Sequence, residues 1–546
     1  MRLPLSPLMS SATPASPDVI VIGSGIGGLC CASLAARYGL SVTLLESHSI
    51  PGGCAHSFDR NGFTFDSGPS LWAGLSRPSV NPLRQVLDAV GESDSIDWVT
   101  YDGWGMVIPE GDFFFKTGDA ASWEATLAKF GGERAIKEWQ QLIDYADPVI
   151  RASGATPPAV LRSDPFVLLP LLRVAGGLLQ AGPHARYLNG PFSLLMEAAG
   201  LPTDGPIASK SFVAAWLDYL AFALSGLDAK GTLGAAVAYT LGDLYKPGAT
   251  LDYPVGGSGA VIEALVRGLS KHGGTLRTSA HVEEIVIEDG RACGVRLKSG
   301  EVLRANKGVV SNADVWRTTA MLPPAYRPTP RPGGGGALNS KLSMTPSFMH
   351  LHLGIRADPP LPEGVGIHYS VLLDSFEDIE ADRNMVIISI PTLLDPALAP
   401  ENCHVVHAYY AANEPYDDWA GLSRSSDEYK QLKAERAEPM WRALEKIIPD
   451  VRERVVTELV ASPLTHERFL RRTRGSYGPP LFHGSETIPY AGTPVPGLLH
   501  CGDSTFPGIG VPSAAASGMN AANTLASPWQ QIELMNELDE KGCLTP

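Results

Sequence analysis

A glycine-rich turn near the start of the chain constrains its fold more than any other sequence feature. Val19 to Ile22 form a short β-branched run, which is typical of a strand buried on both faces. The next residues, Gly23 to Gly28, match the pattern G-x-G-x-x-G, and a small-residue helix ending at Gly39 follows. A second strand then closes on Glu46. This order predicts a βαβ unit that binds the pyrophosphate of a dinucleotide.

Each glycine of this motif has a predicted physical role. Gly23 allows the tight turn, Gly25 lets the backbone approach the pyrophosphate, and Gly28 lets the helix pack closely on the strand. The first turn of the helix would present free N–H groups and a positive dipole to the phosphates. Glu46 would accept hydrogen bonds from the ribose hydroxyl groups of the adenosine.

Two further segments favour FAD over NAD as the dinucleotide. Gly52 and Gly53 follow soon after Glu46, where a glycine pair lets the chain of many FAD oxidoreductases run beside the pyrophosphate. Near the C-terminus, a strand ends in Gly502-Asp503 and a helix begins near Val511. Asp503 is placed to hold a ribityl hydroxyl group, and the helix start would stabilise an anionic reduced flavin. The alternatives are a glycine-rich surface turn at Gly52-Gly53 and a helix cap at Asp503.

A predicted hairpin lies between these two segments. Residues 282–295 alternate in polarity about an Asp289-Gly290 turn, and a short strand then ends at Ser311-Asn312. Such a hairpin is typical of FAD enzymes with two dinucleotide-type motifs.

Composition excludes several classes of protein. The 546 residues carry 43 Lys and Arg against 58 Asp and Glu, a net charge of −15, so nucleic acid is not an expected partner. The seven cysteines, two adjacent and five scattered, form no C-x-x-C pattern and support neither a disulfide framework nor a zinc site, and no metal is expected. Charged residues make up 18%, against roughly 25% in an average globular chain, which indicates additional apolar surface.

One apolar stretch is a candidate for that surface. Residues 165–182 are interrupted by Pro170, Arg173 and Gly176-Gly177, so they fall short of the roughly 20 apolar residues of a membrane-spanning helix. The stretch is consistent with an anchor in the membrane interface or with a buried helix pair. Residues 1–17 are expected to be a disordered terminus or the stub of a transit peptide.

With these motifs assembled, the chain resembles carotenoid isomerases, within the phytoene desaturase-like group of FAD enzymes. The resemblance extends from Asp18 to Ala526 and includes DVIVIGSGIGGL and GDSTFPGIGVPSAAASG. Residues 346–354 (PSFMHLHLG) and 388–400 (ISIPTLLDPALAP) support the resemblance most strongly. Amine oxidases and protoporphyrinogen oxidase share the general flavoprotein motifs, but a likeness to them would not account for these two segments. Residues 155–250, where a substrate channel and membrane lobe would lie, resemble the group only in composition. The identity of the substrate is therefore the part of the resemblance with the least support.

The resemblance implies an α/β fold: an FAD-binding Rossmann-like domain of the two-dinucleotide-binding type, interleaved with an α+β substrate domain and a helical membrane-facing lobe. The implied parts are the terminus 1–17, FAD-binding segments 18–80, 251–320 and 491–530, substrate segments 81–250 (with the lobe) and 321–490, and a tail 531–546. The implied FAD-binding residues are Gly23, Gly25, Gly28, Glu46, Gly52, Gly53, Val282, Gly502 and Asp503. Val282 would contact the adenine through its backbone.

The resemblance also implies a reaction. The first hypothesis is cis–trans isomerisation of a polyene such as poly-cis lycopene, through reduced FAD and without net redox change. Alternatives are desaturation or saturation of a carotenoid or retinoid, hydration or bond rearrangement of a modified carotenoid, and FAD binding without catalysis. An electron donor or a quinone is a further expected partner. The expected location is peripheral, at a plastid or photosynthetic membrane, with a membrane-associated bacterial cytoplasmic protein as the alternative.

No protein side chain is assigned as the catalytic acid or base. His350 and His352 alternate on an apolar strand and are interpreted as packed or hydrogen-bonded residues. Asp66 and Ser67 either approach the flavin or form a turn. The acidic residues Glu414, Asp417 and Asp418 are expected to face solvent.

Overall fold

The glycine-rich unit at the start of the chain folds as a strand, a helix and a second strand. This is seen in a computed structural model, which describes residues 16–155, 157–180, 182–204, 210–327, 343–479, 482–483, 486–487 and 489–544. The prediction for residues 1–17 therefore lies almost wholly outside the described residues.

The helices and strands of the described residues are numbered in chain order. The helices are α1 (Ile26–Arg37), α2 (Pro82–Val90), α3 (Ala120–Gly154), α4 (Leu168–Gln180), α5 (Phe192–Ala198), α6 (Phe212–Ser225), α7 (Gly234–Tyr245), α8 (Ser258–Lys271), α9 (Val315–Met321), α10 (Asp427–Ile447), α11 (Val451–Arg454), α12 (Pro463–Leu470), α13 (Val511–Leu525) and α14 (Pro528–Glu540). The strands are β1 (Val19–Ile22), β2 (Val42–Leu45), β3 (Ser57–Arg60), β4 (Phe63–Asp66), β5 (Trp72–Ala73), β6 (Trp98–Tyr101), β7 (Gly103–Ile108), β8 (Gly111–Lys116), β9 (Leu251–Pro254), β10 (Thr275–Arg277), β11 (Val282–Glu288), β12 (Arg291–Leu297), β13 (Val302–Arg304), β14 (Gly308–Ser311), β15 (Ser347–Arg356), β16 (His368–Leu372), β17 (Met385–Ser389), β18 (Cys403–Glu414), β19 (Val455–Ala461), β20 (Phe482–His483), β21 (Glu486–Thr487) and β22 (Leu498–His500).

A five-stranded parallel sheet, in the order β10-β2-β1-β14-β22, is built from three separate parts of the chain. Val19 and Val21 of β1 pack into one core with α1, α8 and α13, whereas Ile20 and Ile22 pack into another against the β11–β13 sheet. Burial on both faces explains the continuous β-branched run. The predicted α/β fold is confirmed.

The hairpin formed by β11 and β12 is confirmed as well. Asp289 and Gly290 have φ angles of 49° and 76°. Positive φ at both turn residues is typical of a type I′ turn, which suits the twist of a two-residue hairpin.

A seven-stranded mixed sheet, in the order β19-β15-β18-β17-β16-β7-β8, forms the second layer. Met349, Leu351 and Leu353 of β15 pack towards α10 in one apolar core. Strand residues alternate between the faces, so His350 and His352 lie on the opposite face. At the far end, β7 and β8 pack into a helical region formed by α3, α5, α6 and α7.

Helix α14 begins before the predicted C-terminal tail and extends into it. Its Leu534, Met535 and Leu538 are buried in the same core as α1 and α13. The residue boundaries of the seven predicted parts stay a prediction.

The prediction that the acidic residues at the end of β18 and just after it face solvent was wrong for Glu414. Its carboxylate is buried, accepts a hydrogen bond from Trp419 Nε1 (2.8 Å) and lies 3.3 Å from Arg436 Nη1. Burial raises the pKa of Glu414. Asp417 and Asp418 are more exposed, since their side chains retain 78% and 41% of their accessible surface. The strand that carries Glu414 runs under Trp419, which a sequence pattern does not reveal.

Candidate active site

A cavity opens where the parallel strands β1, β2, β14 and β22 end. Such a position, at the carboxyl ends of the strands, is where open α/β sheets bind their ligands. Eight of the nine predicted FAD-binding residues line it: Gly23, Gly25, Glu46, Gly52, Gly53, Val282, Gly502 and Asp503. Residues from three distant parts of the chain are therefore brought together at one place.

The ninth residue, Gly28, lies beneath the turn and has a packing role. A Cβ atom at this position would lie 2.0 Å from the carbonyl oxygen of Gly23. A comparable contact joins the two central helices, because a Cβ at Gly518 of α13 would lie 2.3 Å from the carbonyl oxygen of Gly27. The backbones that form the cavity floor touch only because these side chains are absent.

Glu46 holds the turn from the end of β2. Its Oε2 accepts hydrogen bonds from the backbone N–H (2.9 Å) and the hydroxyl group (2.6 Å) of Ser24. Its Oε1 accepts one from the N–H of His48 (2.7 Å). The carboxylate is thus oriented by the protein and still borders the cavity.

The Gly52-Gly53 turn lies directly against the first glycine turn. Gly52 has a φ angle of 118°, and its N–H donates to the carbonyl oxygen of Ser24 at 3.1 Å. A Cβ at Gly53 would lie 3.0 Å from Gly25 Cα. The N-cap residue of α1 is Gly25, which has no side chain that could cap the helix. Among the described residues the N-terminus of α1 therefore has no side-chain cap. Its first N–H groups are therefore available to a phosphate.

Asp503 pairs with an arginine that no sequence pattern had assigned to the site. Arg472 Nη1 lies 2.6 Å from Asp503 Oδ2, and both residues line the cavity. Arg472 also donates to the carbonyl oxygens of Ser476 (2.7 Å) and Tyr477 (2.8 Å). The only sequence signal for it was an arginine-rich run at residues 471–474 in a chain poor in charge.

One part of the wall is formed by aromatic side chains and a histidine from the seven-stranded sheet and the chain after it. It contains Phe348, His350, Tyr409, Phe469 and Tyr477. Burial raises the pKa of Tyr409 to about 12, so its hydroxyl group is neutral at pH 7. This wall is suited to a flat apolar molecule.

Asp66 lies behind this region and ties three segments together. It accepts hydrogen bonds from Ser57 Oγ (2.7 Å), the Ser258 N–H (2.8 Å) and the Tyr253 hydroxyl group (3.0 Å). Burial raises its pKa, although each of these donors lowers it. Its role in the structure is to fix the start of α8 against β3 and β4.

These residues fit a bound FAD. The glycine turns leave room for a pyrophosphate beside free N–H groups, and Glu46 and Asp503 are acceptors for hydroxyl groups. Helix α13 begins after Gly510, again with no side-chain cap among the described residues, and Val511 and Ala514 border the cavity. A second helix N-terminus is thus available to stabilise negative charge on a ligand.

Fold and site together define a flavin-dependent enzyme of the oxidoreductase type, with FAD as its cofactor. A family model described as flavin containing amine oxidoreductase matches residues 26–526, and the chain belongs to this family. The chain is also 31% identical over 529 residues to the chloroplastic prolycopene isomerase of Daucus carota, covering 93% of this chain and 80% of that protein. The resemblance to carotenoid isomerases is confirmed.

One further relative and one solved structure extend the comparison. The all-trans-retinol 13,14-reductase of Homo sapiens is 26% identical over 502 residues, covering 86% of this chain and 78% of that protein. Among solved structures, an oxidoreductase from Methanosarcina mazei matches with a TM-score of 0.57 and 20% identity, covering 92% of this chain and 98% of that one. The structural likeness shows the fold alone.

Proposed function

We propose that this chain is a carotenoid cis–trans isomerase that acts on a poly-cis polyene such as poly-cis lycopene, through reduced FAD and without net redox change. The observation that carries the proposal is the 31% identity to a prolycopene isomerase along 93% of the chain. The aromatic wall beside the FAD-binding residues is consistent with a long, flat hydrocarbon substrate.

The proposal assigns the nine predicted residues to FAD. Glu46 would hold the adenosine ribose, Gly23, Gly25, Gly52 and Gly53 the pyrophosphate, and Asp503 the ribityl chain, and the other assigned residues are Gly28, Val282 and Gly502. Arg472 would hold the Asp503 carboxylate in place through their 2.6 Å ion pair.

Isomerisation requires the target double bond to lose double-bond character for a short time. When bound, reduced FAD would supply an electron, a hydride or negative charge for this change. The chain's own part is to orient the polyene on Phe348, Tyr409 and Tyr477 and to exclude water from the cavity. The N-terminus of α13 would stabilise the negative charge of the reduced cofactor.

We further propose that the polyene enters from a membrane through α4 and the residues just before it. Leu168, Leu172 and Leu179 share one face of the helix and are 67%, 74% and 79% exposed, while Val174 on the other face is buried. Among the residues described, no helix is both long and apolar enough to cross a bilayer. The exposed leucines support peripheral contact by hydrophobic insertion. The proposed location is a plastid or photosynthetic membrane, and the chloroplastic relative supports the plastid.

A saturase or desaturase is the second candidate, favoured by the similarity to all-trans-retinol 13,14-reductase. That reaction changes the hydrogen count of a polyene and consumes or produces reduced flavin, so it needs an electron donor or acceptor such as a quinone. Hydration or bond rearrangement of a modified carotenoid is a third candidate.

The test is to incubate the purified protein with poly-cis lycopene in lipid vesicles, with FAD either oxidised or reduced anaerobically. Products are separated by chromatography and their masses measured. Isomerisation with reduced FAD only, at unchanged mass, is the expected result.

The other outcomes choose between the candidates. A product two hydrogens lighter or heavier would favour the second candidate, and a gain of water the third. Protein that carries no flavin would contradict all three, and protein that carries flavin but converts no polyene would favour a binding role.

A further inference from the structure

A row of buried histidines crosses the seven-stranded sheet on the face that borders the cavity. His352 of β15 is paired with His407 of β18, His407 with Ser389 of β17, and Ser389 with His368 of β16. His350 lies two residues before His352 on β15, opposite Tyr409. These four histidine residues retain at most 4% of their accessible surface. We call His350, His352, His407 and His368 the histidine row.

Two members of the row form a direct hydrogen bond. His350 Nδ1 and His407 Nε2 are 2.6 Å apart, and the two rings are within 10° of coplanar. Their centroids are 4.9 Å apart, so the rings lie edge to edge and the bond lies close to the plane of both. One ring nitrogen must donate and the other must accept, because a single hydrogen occupies the bond.

The far nitrogen of each ring has no hydrogen-bond partner among the described residues. These atoms are His350 Nε2 and His407 Nδ1, and both are buried. Buried polar atoms are usually paired, so two free nitrogens at the two ends of one hydrogen-bonded pair call for an explanation. His350 also lines the cavity, whereas His407 lies behind it.

The third histidine is held differently. The carbonyl oxygen of Asp66 accepts a hydrogen bond from His352 Nε2 at 3.0 Å, which fixes the hydrogen on that nitrogen. The His352 ring stacks face to face on His407, with centroids 4.4 Å apart and planes within 6°.

This stacking argues against a metal ion, although nitrogens of His350, His352 and His407 lie within 4.8 Å of one another. An imidazole lone pair lies in the plane of its ring. Stacked rings therefore direct their lone pairs along parallel planes and not to a common point.

We propose that His350 and His407 form a two-imidazole proton relay, in which His350 gives a proton to a carbon of the bound polyene and takes it back after the bond has rotated. This inference rests on the proposed function and deepens it. His350 is then a catalytic residue, and His407 acts through it.

The relay balances without any oxidant or reductant. A proton from water in the cavity binds His350 Nε2, and the hydrogen on His350 Nδ1 crosses to His407 Nε2, so that the second ring carries the positive charge. As that hydrogen returns to His350 Nδ1, the proton on His350 Nε2 moves to a carbon of the target double bond. The new C–H bond uses the π electron pair of that double bond, which leaves a delocalised cation with a single bond that can rotate. The reverse transfers restore the double bond in its trans form and both imidazoles.

The electrostatic surroundings suit this role. Burial, followed by the neighbouring histidines, holds the pKa of His350 and His407 well below 6.5. Both rings are neutral at pH 7, and an imidazolium formed in the relay is a stronger acid than free imidazolium. The rings around His350 are Phe348, His352, His407, Tyr409 and His466, all without charge when the histidines are neutral.

The first experiment is isomerisation of poly-cis lycopene in D₂O by the wild-type holoenzyme. We expect deuterium in the trans product, or a rate several-fold lower than in H₂O, because a proton from solvent is transferred to carbon. Isomerisation with neither effect would overturn the relay alone. No isomerisation with either redox state of FAD would overturn the proposed function and the relay with it.

The second experiment compares three variants with matched chemistry. His350→Gln should lower the isomerisation rate about 100-fold or more, the usual range for loss of an acid–base group, with flavin absorption and melting temperature retained. His407→Gln can still accept a hydrogen bond from His350 but cannot take its proton, so we expect a smaller loss of rate with the deuterium effect retained. His368→Gln lies in the histidine row but outside the relay. This variant should keep both the wild-type isomerisation rate and the deuterium effect.

Two results would contradict the relay directly. One is a His350→Gln enzyme that binds flavin and isomerises at the wild-type rate. The other is stoichiometric zinc or another transition metal in the purified protein that is lost in His350→Gln, because the cluster would then be a metal site.

Discussion

The five-stranded and the seven-stranded sheets place their functional residues by different means. In the five-stranded sheet, the site is made of short loops in which sequence neighbours act together, such as Gly23 to Gly28 and Gly52-Gly53. In the seven-stranded sheet, His350 and His407 are 57 residues apart and meet only through the pairing of β15 with β18. The first kind of site is visible as a motif, whereas the second depends on strand register.

The physical causes of stability differ in the same way. Close backbone contacts without side chains hold the glycine turns together, so added volume is what they tolerate least. The seven-stranded sheet instead buries neutral imidazoles, so added charge is what it tolerates least. This contrast leads to four predictions, ordered from the largest expected effect to the smallest.

The largest effect is expected for Gly28→Ala. The new methyl group would lie 2.0 Å from the carbonyl oxygen of Gly23, and backbone on both sides cannot move away cheaply. We expect little soluble protein and no bound flavin, measured as the ratio of flavin to protein absorbance. Gly176→Ala is the matched control, because among the described residues no atom beyond the chain neighbours and nearby backbone of its own helix lies within 4 Å of the added Cβ. Equal flavin content in the two variants would contradict the packing role of Gly28.

The second prediction concerns acid stability of the seven-stranded sheet. Burial lowers the pKa of His352 and His368 to about 4 and that of His466 to about 3. Between these values and about 6.5, the unfolded chain binds protons that the folded chain does not. The free energy of unfolding should therefore be greatest above pH 6.5 and fall by about 1.4 kcal/mol per pH unit for each such histidine as the pH decreases.

Urea unfolding at pH 7.5, 6.0 and 5.0 measures this slope. His466→Phe should flatten it by about 1.4 kcal/mol per pH unit, since one titrating group is removed. Phe348 stacks on His466 with centroids 3.8 Å apart, so Phe348→Leu is the control. It should lower stability equally at each pH. The same slope in wild type and His466→Phe would show that this histidine is not buried as described.

The third prediction concerns the affinity of the five-stranded-sheet site for FAD. Asp503→Asn removes the charged acceptor and leaves Arg472 without its 2.6 Å partner. Loss of a hydrogen bond to a charged group costs roughly 1.5–3 kcal/mol, so the Kd for FAD should rise by about 10- to 100-fold. Asp417→Asn, in an exposed ion pair with Arg474, should leave FAD binding unchanged. Titration of apoprotein with FAD distinguishes the two.

The smallest effect is expected at the exposed face of α4, which belongs to neither sheet. Leu172→Asp removes one inserted leucine and should lower binding to vesicles about tenfold, measured by flotation. Val456→Asp, at an exposed position of β19, is the control and should float like wild type. Unchanged flotation of Leu172→Asp would place the membrane contact elsewhere.

Most of the five-stranded sheet was predictable from the sequence. The β-branched strand, the glycine turn, the Asp289-Gly290 hairpin and the helix at Val511 each have a local pattern with a local cause. Arg472 had only an arginine-rich run to mark it, and Glu414 had no local pattern that predicted its burial. Arg472 forms an ion pair with Asp503, 31 residues further along the chain. Glu414 is buried in contact with Trp419 and Arg436, which follow β18 in the sequence.

The sequence by itself determined the α/β fold, the cofactor and eight residues that line one cavity, because glycine turns and helix starts act over a few residues. Only the tertiary structure decided which side chains complete that cavity. The histidine row exists because antiparallel register aligns alternate residues of β15, β16 and β18 on one face. His350 and His352 were predicted to be packed or hydrogen-bonded, and they are, but their partner His407 came from a strand that no local pattern connects to them.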